Sequence, residues 1–253
     1  MFLKTQDADF FVTSFGSGPR TIVAHGGWVG SGELWLPPFE HLSQHWRTVT
    51  YDHRGTGATL SRAPKISFDL LVDDLFQVLD SLDIQRCVLA GESSGALVVL
   101  EAALRQPQRF EGLVLVDGRA SASNSAGAAR FIEGCMTDFA ATMRAFVRAC
   151  VTEDDAEAEL RWGEQIVMRS NGLDAVALME CMWTAQVQDR LAQISQPTLL
   201  IHGRRDVITP VAESEDMARR IPNAKLVVIE DAGHVPVITR PRQVAEAING
   251  FFG

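Results

Sequence analysis

Hydrophobic residues fall into two alternating rhythms along this chain. Runs that are apolar at most positions, Arg20 to Ala24, Trp46 to Tyr51, Cys87 to Ala90, Leu113 to Val116, Pro197 to His202 and Lys225 to Ile229, predict short buried strands. Phe10 to Gly16 predicts one more near the start, closed by a turn at Ser17-Gly18-Pro19. Between the strands the period lengthens. Leu71, Leu75, Val78, Leu79 and Leu82 recur at helical steps, which puts one face of a helix from about Leu70 to Leu82 against a sheet, with Pro64 to Asp69 as the loop that delivers it. Leu34 to Leu42, Gly95 to Gln106, Val211 to Ile221 and Pro241 to Phe252 read as further helices. Strand and helix in alternation predict an α/β protein with a mostly parallel sheet covered on both faces.

After Gly118 the rhythm changes. Ser121, Ser123, Asn124, Ser125 and Gly127 form a polar linker, and from Ala128 to Ala192 the pattern is helical without a strand signal. Phe131, Met136, Phe139, Met143, Phe146 and Val147 form the inward face of a first helix there. Trp162, Ile166, Val167 and Met168 serve a second, and Leu178, Met179, Met182 and Trp183 a third. The polar stretch Glu153 to Glu159 reads as a solvated helix start capped by Thr152. The expected organisation is a core of residues 1–120 and 193–253 with a helical lid at 121–192.

Composition narrows the function classes. A chain of 253 residues with 46% apolar and 22% charged residues has the make-up of a globular protein with a sizeable core. Its net charge of -9, from 32 acidic and 23 basic residues with no basic cluster, argues against a nucleic-acid partner. No apolar run approaches the roughly 18 residues that span a bilayer, and Met1 to Phe11 do not read as a signal peptide. Cys87, Cys135, Cys150 and Cys181 are too scattered for a disulfide scaffold or a zinc site, which suggests free thiols and a cytoplasmic protein. No dinucleotide fingerprint follows the first strand, so neither a cofactor nor a metal is expected.

The chemistry lies where strands end. His25, Asp52, Ser93, Asp117, Asp206 and His234 each follow an apolar strand, the edge at which parallel sheets bind ligands. In Gly91-Glu92-Ser93-Ser94-Gly95 the small residues permit a sharp strand-to-helix turn that lifts a serine hydroxyl clear of the chain. Such a hydroxyl needs a base, and His234, in a glycine-containing loop after the last strand, is the candidate. The imidazole in turn needs a carboxylate: Asp206 is favoured, Asp117 competes, and Glu230 and Asp231 are nearer in sequence. Ser94 N–H at the helix start and Gly27 N–H from His25-Gly26-Gly27-Trp28, with Trp28 N–H as the alternative, are candidate donors to an oxyanion. Trp28, Phe131, Phe139, Trp162, Met182 and Trp183 are candidate pocket residues. His25 and Arg54 read as structural braces, and His41 and His45 as solvent-facing.

These motifs resemble the alpha/beta-hydrolase superfamily over nearly the whole chain: His25-Gly26-Gly27, Asp52-His53-Arg54-Gly55-Thr56-Gly57, Gly91 to Gly95, Pro197 to Asp206, and Asp231-Ala232-Gly233-His234. Within it the chain looks most like small esterases and lactonases with a four-helix lid, such as the 3-oxoadipate enol-lactonases. Ser94 stands where those enzymes often carry methionine, and the first strand common in the fold looks abbreviated or absent. The resemblance implies a lid after the sixth strand of the fold and a Ser93, Asp206, His234 triad. It further implies hydrolysis of a medium-sized, partly hydrophobic ester or lactone through an acyl-enzyme. Cofactor-free carbon–carbon bond cleavage, hydroxynitrile lysis and a non-catalytic small-ligand receptor remain alternatives, and a homodimer is left open.

Overall fold

Strands that are apolar at most positions bury well in the middle of a sheet with helices over them, and all but the last of the predicted runs lie there; Lys225 to Ile229 forms an edge and is only partly buried. The computed structural model describes residues 1–63, 65–122 and 126–253. Pro64, at the head of the expected loop, and Ser123, Asn124 and Ser125 of the expected linker lie outside the described residues. The strands are β1 (Phe2–Lys4), β2 (Ala8–Phe15), β3 (Arg20–His25), β4 (Trp46–Tyr51), β5 (Leu60–Ser61), β6 (Cys87–Glu92), β7 (Phe110–Val116), β8 (Thr198–Gly203) and β9 (Ala224–Ile229). They lie in the order β1-β2-β4-β3-β6-β7-β8-β9, with the two-residue β5 paired to β2. From β4 to β9 all neighbours are parallel, whereas β1 and β2 run antiparallel at one edge. The first strand of the fold is therefore present, as three residues rather than a full strand.

Every residue of β6 and β8 is buried, while β9, the other edge, keeps Lys225 in solvent. The parallel strands end in step. His25 pairs with both Tyr51 and Gly91, Glu92 with Val116, and Val116 with Ile201, so the loops that follow them open along one edge. The strand order reverses between β3 and β6, which makes the crevice at their carboxyl ends the binding position of such a sheet.

The helices are α1 (Leu36–Leu42), α2 (Phe68–Ser81), α3 (Gly95–Arg105), α4 (Ala126–Thr137), α5 (Phe139–Cys150), α6 (Glu157–Val167), α7 (Gly172–Met182), α8 (Val211–Arg220), α9 (Pro236–Thr239) and α10 (Pro241–Phe252). α1 packs on α10, and α2 on α3. The predicted face of α2 is buried at Leu71, Leu75, Val78 and Leu79, and Ser67 caps it by accepting from Leu70 N–H at 3.2 Å. Leu82 falls just past the last turn and is half-buried.

Among the described residues the insertion between β7 and β8 holds four α-helices, as the resemblance implies, where hydrophobic spacing alone gives three. Leaving out the two-residue β5, it follows the sixth strand. Asp138 accepts from Ala141 N–H at 3.0 Å and starts α5 afresh, which splits the expected first helix and turns Met136 outward, 51% exposed. Gly127 belongs to the first turn of α4 instead of the linker. Thr152 caps nothing, since α6 starts at Glu157 after Ala156, and Glu153 is buried rather than solvated.

Below the crevice, Arg54 is fully enclosed. It donates Nε and Nη2 to both oxygens of buried Asp74, at 2.6 and 2.8 Å, and Nη1 to Asp7 O at 2.7 Å and Ser61 Oγ at 2.9 Å. This is the expected brace, joining the loop after β4 to α2 and to the amino-terminal strands. Removing one member strands a buried charge, so Asp74→Ala is expected to cost about 3–5 kcal/mol in urea unfolding. A cost below about 1 kcal/mol would show that the pair does not hold these segments together.

Candidate active site

The turn between β6 and α3 is strained where the sequence predicts an elbow. Ser93 has φ 53, a left-handed conformation that costs a non-glycine residue about 1–3 kcal/mol. Its N–H donates to Val116 O at 2.8 Å, which ties the turn to the neighbouring strand. A Cβ at Gly95 would lie 2.4 Å from Gly26 O, and one at Gly91 2.7 Å from Gly95 O, so no larger residue fits at either position. α3 begins at Gly95 with no side-chain cap, leaving the positive end of its dipole at Ser93 and Ser94.

Three side chains from three loops meet here. Ser93 Oγ lies 2.8 Å from His234 Nε2, and His234 Nδ1 lies 2.7 Å from Asp206 Oδ2. The second oxygen of Asp206 accepts from Ile208 N–H at 2.7 Å and Thr209 N–H at 2.9 Å. Burial raises the Asp206 pKa, but hydrogen bonds from His202 and His234 outweigh it and hold the carboxyl far below the usual carboxylate range. An ionised Asp206 accepts a hydrogen bond from Nδ1–H, which turns Nε2 toward the serine hydroxyl.

Asp117, the competing acid, is not a partner of His234. Its Oδ1 accepts from Gly203 N–H at 2.8 Å, and Oδ2 has no partner among the described residues. Burial and then the Asp206 charge push its pKa well up. Asp117, His202 and Asp206 bring potential metal ligands within 4.8 Å of one another. Both His202 nitrogens are already engaged, Nδ1 with Ser214 Oγ at 2.7 Å and Nε2 with Thr209 O at 2.8 Å, and Asp206 is saturated by protein donors. The group has the bonding of a hydrogen-bonded support for Asp206, not of a ligand set. His25 also braces: Nδ1 donates to Gly26 O at 2.7 Å, its ring stacks on His53 at 4.7 Å, and burial followed by the His53 charge lowers its pKa to about 3. His45 is exposed and His41 half-buried.

Two carboxyls beside the histidine were not singled out from sequence. Glu92, in the elbow itself, is buried with Oε1 3.9 Å from His234 Nε2. Burial, and next the Asp206 charge, raises its pKa to about 8 against a smaller opposing hydrogen bond from Gly27. Glu153 comes from the segment after α5. Its Oε1 accepts from Gly233 N–H at 2.9 Å and Thr239 Oγ1 at 2.5 Å, its Oε2 from Thr152 N–H at 2.8 Å, and His234 N–H donates to Cys150 O at 2.8 Å. The insertion thus clamps the loop that carries the imidazole. A charge in a polar run gives no hint of such burial, whereas the place of Glu92 at the end of an otherwise apolar run was a readable signal.

Two cavities open at Ser93. The inner one, about 50 Å³, is lined by Glu92, His234, Val151, Val167 and Ile238 among others. The outer one, about 560 Å³, is lined by the candidates Trp28, Phe131, Met182 and Trp183 together with Phe146, Met179 and Arg119. Phe139 and Trp162 line neither cavity. Phe139 sits two turns before Phe146, about 10 Å along α5, and packs against the core. The Trp162 indole is committed to Glu33 Oε1 at 2.7 Å. Gly27 lies against the elbow, where an added Cβ would be 3.3 Å from Ser93 Cβ and 2.2 Å from Glu92 Oε2.

Fold and site together are those of a serine-type hydrolase. The chain belongs to the alpha/beta hydrolase fold family, whose pattern residues 20–241 match. It is 30% identical over 252 residues to the pimeloyl-(acyl-carrier protein) methyl ester esterase of Nitrosomonas europaea, covering 93% of this chain and 96% of that protein. A hydrolase of Pseudomonas aeruginosa PA01 superposes with a TM-score of 0.92 at 26% identity, over 100% of this chain and 98% of the other. The enol-lactonase of Burkholderia xenovorans LB400 shares the fold, with a TM-score of 0.91 at 22% identity and 99% of each chain covered. No helix among the described residues is long and apolar enough to cross a membrane.

The two buried carboxyls give separate expectations. Folded protein keeps the Glu92 proton up to about pH 8, whereas the unfolded chain releases it near 4.5. The stability linked to that proton is complete below 4.5 and is lost as pH rises through 8. Urea midpoints should therefore fall between pH 5 and 9 more steeply in the parent than in Glu92→Gln; equal slopes would contradict the raised pKa. Glu153→Ala leaves a buried Gly233 N–H unpaired and should cost about 1–3 kcal/mol. Glu153→Gln, which keeps an acceptor, should lose less in the same unfolding measurement.

Proposed function

We propose that this protein is a carboxylic ester hydrolase that acts on an ester or lactone of a medium-sized, partly hydrophobic small molecule, with Ser93 as nucleophile, His234 as base and Asp206 as its acid. The observation that carries this reading is the unbroken chain of contacts from Ser93 Oγ through His234 to Asp206, at 2.8 and 2.7 Å, opening onto apolar cavities. The methyl ester esterase activity named for the Nitrosomonas europaea relative supports the same reaction class.

In this mechanism Ser93 Oγ attacks the carbonyl carbon as its proton passes to His234 Nε2, and the Asp206 carboxylate stabilises the resulting imidazolium. The tetrahedral oxyanion is held by Ser94 N–H, at the positive end of α3, and by an amide of the Gly27-Trp28 segment. The contact of Gly27 with Glu92 favours Trp28 N–H as the second donor. Collapse of the intermediate breaks the C–O bond, with His234 returning its proton to the leaving alkoxide. Water then attacks the acyl-enzyme as its proton passes to His234, and His234 returns that proton to Ser93 Oγ as the acyl C–O bond breaks and the acid leaves. In a lactone the alcohol stays tethered to the acyl group, so water enters and one ring-opened product leaves. The protein works in the cytoplasm on this reading, with all four thiols free and buried.

Ser93→Ala is expected to lower kcat on a 4-nitrophenyl ester by about 10³ or more while unfolding stays cooperative. His234→Ala should behave alike. Asp117→Ala should cost stability but less than about tenfold in kcat. Near-parent turnover by Ser93→Ala would overturn the assignment, and a large kcat loss confined to Asp117→Ala would move the acid.

A further inference from the structure

Arg119 is a cation in an apolar cavity. It follows the end of β7 by three residues and lines the outer cavity, whose other walls beside Ser93 are largely aromatic and methionine side chains. No other Asp, Glu, Lys, Arg or His lines that cavity among the described residues. Nη2 of Arg119 donates to Ile208 O at 3.1 Å and Thr209 Oγ1 at 2.7 Å. Those residues form the turn whose amides bind Asp206, so the guanidinium stands on a rigid platform. Its remaining N–H groups make no hydrogen bond among the described residues, and no carboxylate there forms an ion pair with it. A side chain kept for the turn alone needs no charge. A half-buried charge with no counter-ion, facing low-dielectric walls, is instead stabilised by an anion that enters. In a protein of net charge -9 an anionic ligand also needs a local cation to overcome the general repulsion.

We propose that Arg119 is the specificity-determining residue for a carboxylate carried by the substrate, so that the preferred ester or lactone bears a second, ionised carboxyl on the part seated in the outer cavity. The proposal rests on the hydrolase reading above for the reacting end of the molecule. With Nη2 committed to the turn, the fixed charge and the Nη1–H and Nε–H donors remain to attract and bind a carboxylate. The aromatic and methionine walls carry the methylenes between that carboxylate and the carbonyl at Ser93. The inner cavity, at about 50 Å³, accommodates only a small group on the other side of the scissile bond.

The test separates binding from turnover. In Ser93→Ala protein, calorimetric titration at pH 7 with the monoanions of monomethyl succinate, adipate and suberate, each against its dimethyl ester, should show at least one monoanion bound about tenfold or more tightly. Adding Arg119→Gln should bring that pair within about twofold, with dimethyl ester affinity unchanged as proof of an intact cavity, and Arg119→Lys should keep part of the preference. In protein with Ser93 intact, Arg119→Gln should raise KM for the preferred half-ester about tenfold more than KM for its dimethyl ester, with kcat for the two changing by the same factor. Equal affinities across all three pairs, or a preference that survives Arg119→Gln, would overturn the carboxylate subsite. Those binding results stand whether or not any ester is hydrolysed, whereas failure of the hydrolase reading would appear as turnover that does not depend on Ser93.

Discussion

The backbone at Ser93 is held in a left-handed conformation that an isolated serine avoids, and the geometry of the crevice follows from how it is held. The surrounding structure supplies the compensation: the Ser93 N–H bond to Val116 O, and the close passage of Gly91, Gly95 and Gly26. With the turn so held, the hydroxyl stands above the sheet edge within 2.8 Å of an imidazole from a loop more than a hundred residues away in sequence. If the turn relaxed to an ordinary helical or extended conformation, hydroxyl, imidazole and the start of α3 would lose their common point.

Around that point the site is layered by charge. Asp206 is ionised by donors on every side, while Glu92 and Asp117 are pushed toward neutrality by burial and by the charge of Asp206 itself. Packing one anion among proton-holding carboxyls keeps net negative charge away from the place where a carbonyl would develop an oxyanion. The insertion completes this layer, since Glu153 and Cys150 O hold the backbone on which His234 sits. The helices over the sheet therefore do two things: they wall the cavities and they fix the orientation of the imidazole loop.

Much of this was legible in the residues. Mostly apolar runs point to buried strands, and all but the edge run Lys225 to Ile229 are inner ones, so the parallel sheet, its order of loops and the family followed from pattern and motif together. Ser93, His234 and the two competing acids Asp206 and Asp117 were legible as candidates because each follows such a run, and because the elbow needs glycines on both sides of the serine. The errors came where one residue's side chain competes with periodicity. Asp138 caps and restarts a helix that hydrophobic spacing alone would continue, and Glu153 turns inward although Asp154 and Asp155 after it are exposed. Phe139 and Trp162 have the right chemistry for a pocket but the wrong position along their helices.

By itself the sequence determined the class of the sheet, the strained serine turn and the set of groups at the strand ends, because those depend on local backbone geometry and on which runs must be buried. Only the tertiary structure decided which acid meets His234, which amide faces Glu92 and which aromatics share a cavity with Arg119. Those are contacts between residues far apart in the chain, and a displacement of a few ångströms, invisible to any sequence period, exchanges one partner for another.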